Sequence, residues 1–158
     1  MTLRYRLATP ADFPSILAML RAFYAEDHID YDPALVESGL RTLLAEPVHG
    51  AVLLLQGDGV AEAGYASLGW CFSIEQGGRF LLLDELYLAP AARGRGWGRQ
   101  ALALARDWAH SQRASVMRIE VNHHNARAKA LYLAAGYRDD GRDILTLPLL
   151  ATPTGLHA

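Results

Sequence analysis

The chain has 158 residues and a mass of 17.3 kDa, is 51% hydrophobic and 20% charged, and carries a formal net charge of −2. That length suits one domain with a real core, and the composition excludes a disordered, low-complexity or collagen-like chain. No apolar run approaches the roughly 20 residues that span a bilayer, and the near-neutral balance argues against a dedicated nucleic-acid binder.

Leu3, Tyr5 and Leu7 alternate with Arg4 and Arg6, the period-two pattern of a strand with one buried face. Thr9-Pro10-Ala11-Asp12 reads as a helix start, followed by Phe13, Ile16, Leu17, Leu20, Phe23 and Tyr24 at helical spacing. Asp32-Pro33 repeats the start signal for a second helix, with Val36, Leu40, Leu43 and Leu44 as its apolar stripe, ending before Pro47. A strand-rich block follows: 51–56, a turn at Gly57-Asp58-Gly59, 60–72, a turn at Gln76-Gly77-Gly78, and 79–88, ended by Pro90. Short connections make this meander antiparallel. After a glycine-rich segment, Trp97, Ala101, Leu104, Ala105 and Trp108 mark a third helix. A strand over 116–121 is then expected to run parallel to the one ending at Leu88, because a helix joins them. Asn125 caps a fourth helix carrying Ala128, Leu131, Tyr132 and Ala135, and Gly136 closes it. Two more short strands are expected over 137–149, around Gly141. The order is β-α-α-β-β-β-α-β-α-β-β, an α+β fold occupying residues 1–150, with 151–158 as a loose tail.

The N-terminal residues have no apolar segment of the secretory kind. Cys71 is the single cysteine, which excludes an internal disulfide and a cage of thiolates and fits a reducing cytoplasm. With no histidine patterned around it, Cys71 reads as a small buried residue rather than a nucleophile. His123 and His124 are adjacent, so their side chains diverge, and no carboxylate is spaced to complete a metal site. No metal is expected.

Residues 1–79 carry a formal charge of −5 and residues 80–158 carry +3. Fourteen of the fifteen cations are arginines, whose planar fork grips phosphate well. Taken alone, that asymmetry reads as a solvated face.

Arg93-Gly94-Arg95-Gly96-Trp97-Gly98-Arg99 lies between a strand and a helix, where glycine lets backbone N–H groups approach an anion and the helix start supplies unpaired donors. A P-loop is excluded, because the only lysine, Lys129, follows Ala128. A dinucleotide fingerprint needs a different glycine spacing. The pattern R-x-x-G-x-G, together with Leu86-Tyr87-Leu88-Ala89-Pro90 before it, resembles the acetyl-CoA signature of the GNAT acyltransferase superfamily. Val121-Asn122-His123-His124-Asn125, Leu131-Tyr132 and Gly136-Tyr137 are similar to its second signature. The two blocks cover about a third of the chain, and the element order matches the GNAT topology over nearly all of it.

The resemblance implies a mixed, mostly antiparallel sheet with a central, splayed parallel strand pair, flanked by about four helices. It implies an acetyl-CoA-dependent N-acetyltransferase, cytoplasmic, moving an acetyl group to a primary amine of a small molecule or peptide by direct attack in a ternary complex. Acetyl-CoA would lie in the splay, with the Leu86 amide toward the thioester oxygen, the Leu88 amide on pantetheine, and Tyr87 between them. The pyrophosphate would sit on the amides of Gly94, Arg95, Gly96, Trp97, Gly98 and Arg99, with Arg93, Arg95 and Arg99 adding charge. Asn125 caps its helix, contacts pantetheine, or does both. Tyr132 is the expected general acid for the leaving thiolate, against a packing role on its apolar helix face. Asp84 and Glu85 match the acidic pair of spermidine/spermine-type members, while Leu82 stands where histone-type members carry a glutamate. Because strand side chains alternate, only one of Asp84 and Glu85 faces the cleft unless a bulge intervenes. Glu26, Asp27, Asp30 and Asp32 read as a solvated loop or as an acidic rim toward a cationic acceptor. A homodimer is compatible with the family. The competing readings are a catalytically silent CoA-binding sensor or interaction module and a nucleic-acid-binding domain.

Overall fold

A computed structural model describes residues 2–149. Five strands form one sheet in the order β1 (Leu3–Leu7), β2 (Gly50–Gly57), β3 (Val60–Ser73), β4 (Gly78–Leu88) and β5 (Met117–Ile119). The first four pair antiparallel with their neighbours, β2 to β4 as a meander, and β4 pairs with β5 in parallel. The helices are α1 (Phe13–Glu26), α2 (Pro33–Ala45), α3 (Trp97–Ser111) and α4 (Ala126–Ala134). None is long and apolar enough to cross a membrane.

The local signals set these elements. Asp32 accepts hydrogen bonds from the amides of Ala34 and Leu35 at 2.9 and 3.4 Å and so starts α2. Asn125 accepts from the Ala128 amide at 3.1 Å and starts α4. The Thr9-Pro10 start is split: Pro10–Asp12 forms one tight 3-10 turn before α1 begins at Phe13. Asp12 accepts from the Thr9 amide at 2.8 Å and pairs with the Arg6 guanidinium at 2.6 Å, which holds its carboxyl well below the usual carboxylate range.

The sheet carries helices on both faces. Val52 and Leu54 point toward α1 and α2, where they meet Ile16, Leu20, Leu40, Leu44, Tyr65 and Tyr87. Leu53 points the other way, with Leu68, Leu81 and Leu83, against Leu102, Ala105 and Trp108 of α3. β2 is buried on both faces, so it reads as a continuous apolar run rather than an alternating one.

Two expectations are corrected. No strand forms over 138–149, and among the described residues the parallel pair therefore sits at the edge of the sheet rather than inside it. Charged contacts tie this segment down instead: Arg142 forks onto Glu75 at 2.9 Å twice, and Lys129 pairs with Asp139 at 2.5 Å. Leu145 and Leu147 stay exposed. Apolar alternation says which face a strand would bury, but not that a partner edge lies within reach. Residues 151–158, expected as a tail, lie outside the described residues.

Candidate active site

The ladder between β4 and β5 is only three residues long: Leu81 opposite Met117, Leu82 opposite Arg118, Leu83 opposite Ile119. Beyond it the two strands part. The separation coincides with a bulge, because Ser67 of β3 pairs with Glu85 while Leu68 pairs with Leu83, leaving Asp84 as the extra residue. A cleft of about 1190 Å³ opens between Asp84–Leu88 on one side and Glu120–Asn122 on the other, with α1, the start of α3 and α4 completing its walls. That volume exceeds the ~300–1,000 Å³ of an ordinary small-ligand pocket and leaves room for two reactants.

The backbone of β4 supplies donors to this gap. The Ala89 amide donates to Ala63 of β3, and Tyr87 and Glu85 stand opposite Tyr65 and Ser67. By strand alternation, the N–H groups of Leu86 and Leu88 then face away from β3, into the cleft. The Leu88 carbonyl faces the same way and accepts from the Arg93 Nε at 2.8 Å.

At one end of the cleft lies the glycine loop. Gly94 and Gly96 adopt φ of 71° and 73°, the left-handed region that favours glycine, and Gly96 is the N-cap of α3. The first turn of α3 directs N–H groups without intrahelical partners out of the helix. Trp97 anchors this turn: it is 1% exposed and its ring lies over Gly57, where a Cβ would come within 2.1 Å of Cη2. Gly98 likewise lets Leu131 of α4 close on the helix, since a Cβ there would come within 3.2 Å of its Cδ2.

The arginines divide their labour. Arg93 is committed within the protein: besides the Leu88 carbonyl it holds Glu26 at the end of α1, at 2.6 Å, and lies over the Tyr87 ring. Arg95 lies over Trp97, 5.1 Å from the ring centre. Arg99 lines the cleft, and so does Arg127, which the sequence reading did not single out. Asn125 caps α4 and also lines the cleft. Tyr87 is among the lining residues, and its ring is buried in the core beside Phe23 and Tyr65.

The opposite end is acidic and aromatic. The bulge brings both Asp84 and Glu85 to the cleft, so the one-face restriction of a regular strand does not apply. Glu85 is half-buried and accepts two phenolic hydrogen bonds, Tyr24 Oη to Oε1 at 2.6 Å and Tyr65 Oη to Oε2 at 2.8 Å. Burial raises its carboxyl above the ordinary value despite these bonds, with the neighbouring Asp84 charge adding to the shift. Asp84 opens to the cleft, yet the protein crowded around it raises its carboxyl as well. Tyr132 of α4 lines the same cleft, and burial, then the charge of Asp27, raise its phenol above the ordinary value. Tyr137 packs beside it with ring centres 6.0 Å apart, its own phenol pushed up to about 12 by burial. Tyr24 and Tyr65 escaped the sequence reading as site residues. Tyr24 sits on the apolar stripe of α1, and its partner is 61 residues away in the chain.

Cys71 is partly buried on β3 and takes no part in the cleft. His123 lies outside the cleft lining, 3.3 Å from Asp143.

A sequence model of the acetyltransferase (GNAT) family matches residues 13–137. The uncharacterized N-acetyltransferase YhfO of Bacillus subtilis (strain 168) is 32% identical over 92 residues, 58% of this chain and 62% of that protein, so the match spans about three-fifths of that relative's length. Among solved structures, the integron cassette protein HFX_CASS3 from the mobile metagenome of Cole Harbour Salt Marsh superposes with a TM-score of 0.79 at 26% identity, covering 94% of this chain and 91% of that one. The ribosomal-protein-alanine N-acetyltransferase of Brucella melitensis biovar Abortus 2308 shares the fold, with a TM-score of 0.73 at 16% identity over 93% of this chain and 99% of its own.

Proposed function

The chain belongs to the acetyltransferase (GNAT) family, and from that premise we propose that it is an acetyl-CoA-dependent N-acetyltransferase acting on a primary amine of a small molecule or peptide. The observation that carries the reading is the splay between β4 and β5. It leaves the Leu86 and Leu88 amides facing a cleft whose far end is a glycine-rich helix start.

Acetyl-CoA would enter as a substrate. Its pantetheine would pair with the free edge of β4 through the Leu88 amide, and its pyrophosphate would rest on the amides of Gly94 to Arg99. Arg99 and Arg127 stand where they can add charge. Arg93 would act indirectly, by fixing the end of β4 against α1. The Leu86 amide would donate to the thioester oxygen as it becomes an oxyanion.

The acceptor would approach from the acidic end, where Asp84 and Glu85 offer sites for the proton an ammonium must lose. The neutral amine attacks the acetyl carbonyl, the C–N bond forms and the C–S bond breaks. The departing thiolate takes a proton from Tyr132, a phenol that is protonated at neutral pH, and the tyrosinate is restored by the proton that the nitrogen must shed to become the amide, passed directly or through solvent. Such a reaction belongs in the cytoplasm, where a lone thiol such as Cys71 stays reduced.

The test is to incubate the protein with acetyl-CoA and a panel of amines while following free thiol. Amine-dependent thiol release is expected. Tight CoA binding without release would instead make the protein a sensor or interaction module. Within the active enzyme, Tyr132→Phe is expected to lower kcat by ~10²-fold or more while acetyl-CoA affinity is largely preserved. An unchanged kcat would remove Tyr132 from the role of acid.

A further inference from the structure

Glu85 is built unlike a carboxylate waiting for substrate. Each of its oxygens accepts one phenolic hydrogen bond, Oε1 from Tyr24 of α1 and Oε2 from Tyr65 of β3. The two phenols are not equivalent. Tyr65 is 1% exposed and closed off in the core, whereas Tyr24 lines the cleft. Glu85 and Tyr24 both line the cleft, and the Tyr24 hydroxyl already lies on Oε1 of Glu85 at 2.6 Å, so it stands beside any proton that approaches that oxygen.

We propose that Tyr24 is a further catalytic residue: its hydroxyl takes the proton of the incoming ammonium and passes its own to Glu85, with Tyr65 as the positioning residue that fixes the receiving carboxylate. This rests on the acetyl-transfer reading above and assigns a proton path within it. The step balances. An N–H bond of the ammonium breaks as an O–H bond forms at Tyr24 Oη. The former Tyr24 O–H breaks as one forms at Glu85 Oε1. The amine becomes neutral, Tyr24 ends as it began, and Glu85 changes from carboxylate to carboxylic acid, later giving the proton to solvent.

The surroundings suit the three roles. Tyr24 is held neutral, its phenol raised by burial and by the charge of Glu85, so it shuttles a proton rather than storing a charge. Glu85 is raised by burial, which brings it closer to an ammonium than an ordinary carboxylate and makes it a better acceptor. The titratable groups that face it are Tyr24 of α1, Tyr65 of β3 and Asp84 beside it on β4. Tyr132 of α4 and Asp27 beyond α1 line the same cleft without a hydrogen bond to Glu85.

A relay and a scaffold differ in what the two tyrosines do. Each phenol stabilises the Glu85 carboxylate, so losing either one moves the acid limb of the pH–kcat/KM profile to higher pH, by about one unit for a lost charged hydrogen bond. Only the loss of Tyr24 breaks the path, lowering the plateau above that limb. The experiment compares wild type, Tyr24→Phe, Tyr65→Phe, Glu85→Gln and Asp84→Asn with the amine the wild type acetylates best. Acetyl-CoA binding is measured in parallel by calorimetry, so that a misfolded variant is recognised.

The expected result is a plateau loss of ~10²-fold for Tyr24→Phe, with acetyl-CoA affinity retained. Tyr65→Phe should show a shifted limb and a much smaller plateau loss, and Glu85→Gln should match Tyr24→Phe. A Tyr24→Phe enzyme that keeps its plateau, with Asp84→Asn losing it, would overturn the relay, make Asp84 the direct base and leave acetyl transfer standing. A wild type that binds acetyl-CoA but acetylates no amine would overturn both.

Discussion

The two ends of the cleft solve opposite problems. At the glycine loop the sequence arranges donors and leaves them pointing outward. Gly94 and Gly96 hold left-handed backbone, Gly96 opens α3, and the amides of the first turn have no intrahelical partners. At the Asp84 bulge the polar groups are answered from inside: Glu85 is bonded to two phenols drawn from two other elements. The first end is a binding surface awaiting an anion. The second is a preorganised network in which burial raises the Glu85 carboxyl while the two phenols oppose that shift. The difference teaches that the site was assembled from a local motif and a tertiary one, and that the two should fail differently when broken.

The loop end should break through its backbone. Gly96→Val forces a β-branched residue into φ of 73° at the N-cap, at a cost of ~1–2 kcal/mol. Because that conformation aims the amides, the expected result is acetyl-CoA binding weakened by about 10-fold or more, measured by calorimetry. Chemistry at the bulge end should be little altered once acetyl-CoA saturates. Unchanged affinity would show that the loop does not hold the nucleotide.

A smaller effect on acetyl-CoA affinity follows from the support beneath the loop. Gly57→Ala places a Cβ 2.1 Å from the buried ring of Trp97, which is rigid and has nowhere to move. Overpacking of this kind costs ~1–3 kcal/mol. Denaturant unfolding should record that loss, and acetyl-CoA affinity should fall alongside it because Trp97 is the first residue of α3. Lost stability with intact affinity would uncouple the support from the loop.

The same division explains what the sequence made legible. The glycine loop, the caps at Asp32 and Asn125, the meander and the α4 stop at Gly136 are encoded within a few residues, and each was read where it stands. The Asp84 bulge is a register shift against β3, set by how Ser67 meets Glu85 while Leu68 meets Leu83, and alternation alone puts Asp84 and Glu85 on opposite faces. Tyr24 has the spacing of a core residue, and nothing in α1 announces a carboxylate on β4. Arg93 sits in the motif that promises an anion contact, yet it is drawn to the Leu88 carbonyl and Glu26 because the turn at Pro90–Ala92 folds it back. The strands expected over 137–149 fail for a like reason: the pattern is local, but pairing needs an edge, and the charges around Gly141 bind elsewhere.

The bulge end should betray its purpose through stability, with the smallest effect of the three and an opposite sign. Glu85 has a folded-state pKa above its ordinary value of about 4.3, so between those two values the native state binds more protons than the unfolded chain. Stability contributed by Glu85 is therefore full below the unfolded value and is lost as pH rises through the folded one. Above that point the protein carries the cost of a desolvated charge. Glu85→Gln cannot ionise, so it should raise Tm at neutral pH. The gain should vanish in acid, where the wild-type carboxyl is already protonated. Thermal melts at the two pH values test this, and a Tm that falls equally at both would mean that the two phenols hold Glu85 as a structural brace. A gain confined to neutral pH would mean that the fold tolerates an unfavourable charge where the chemistry needs a base.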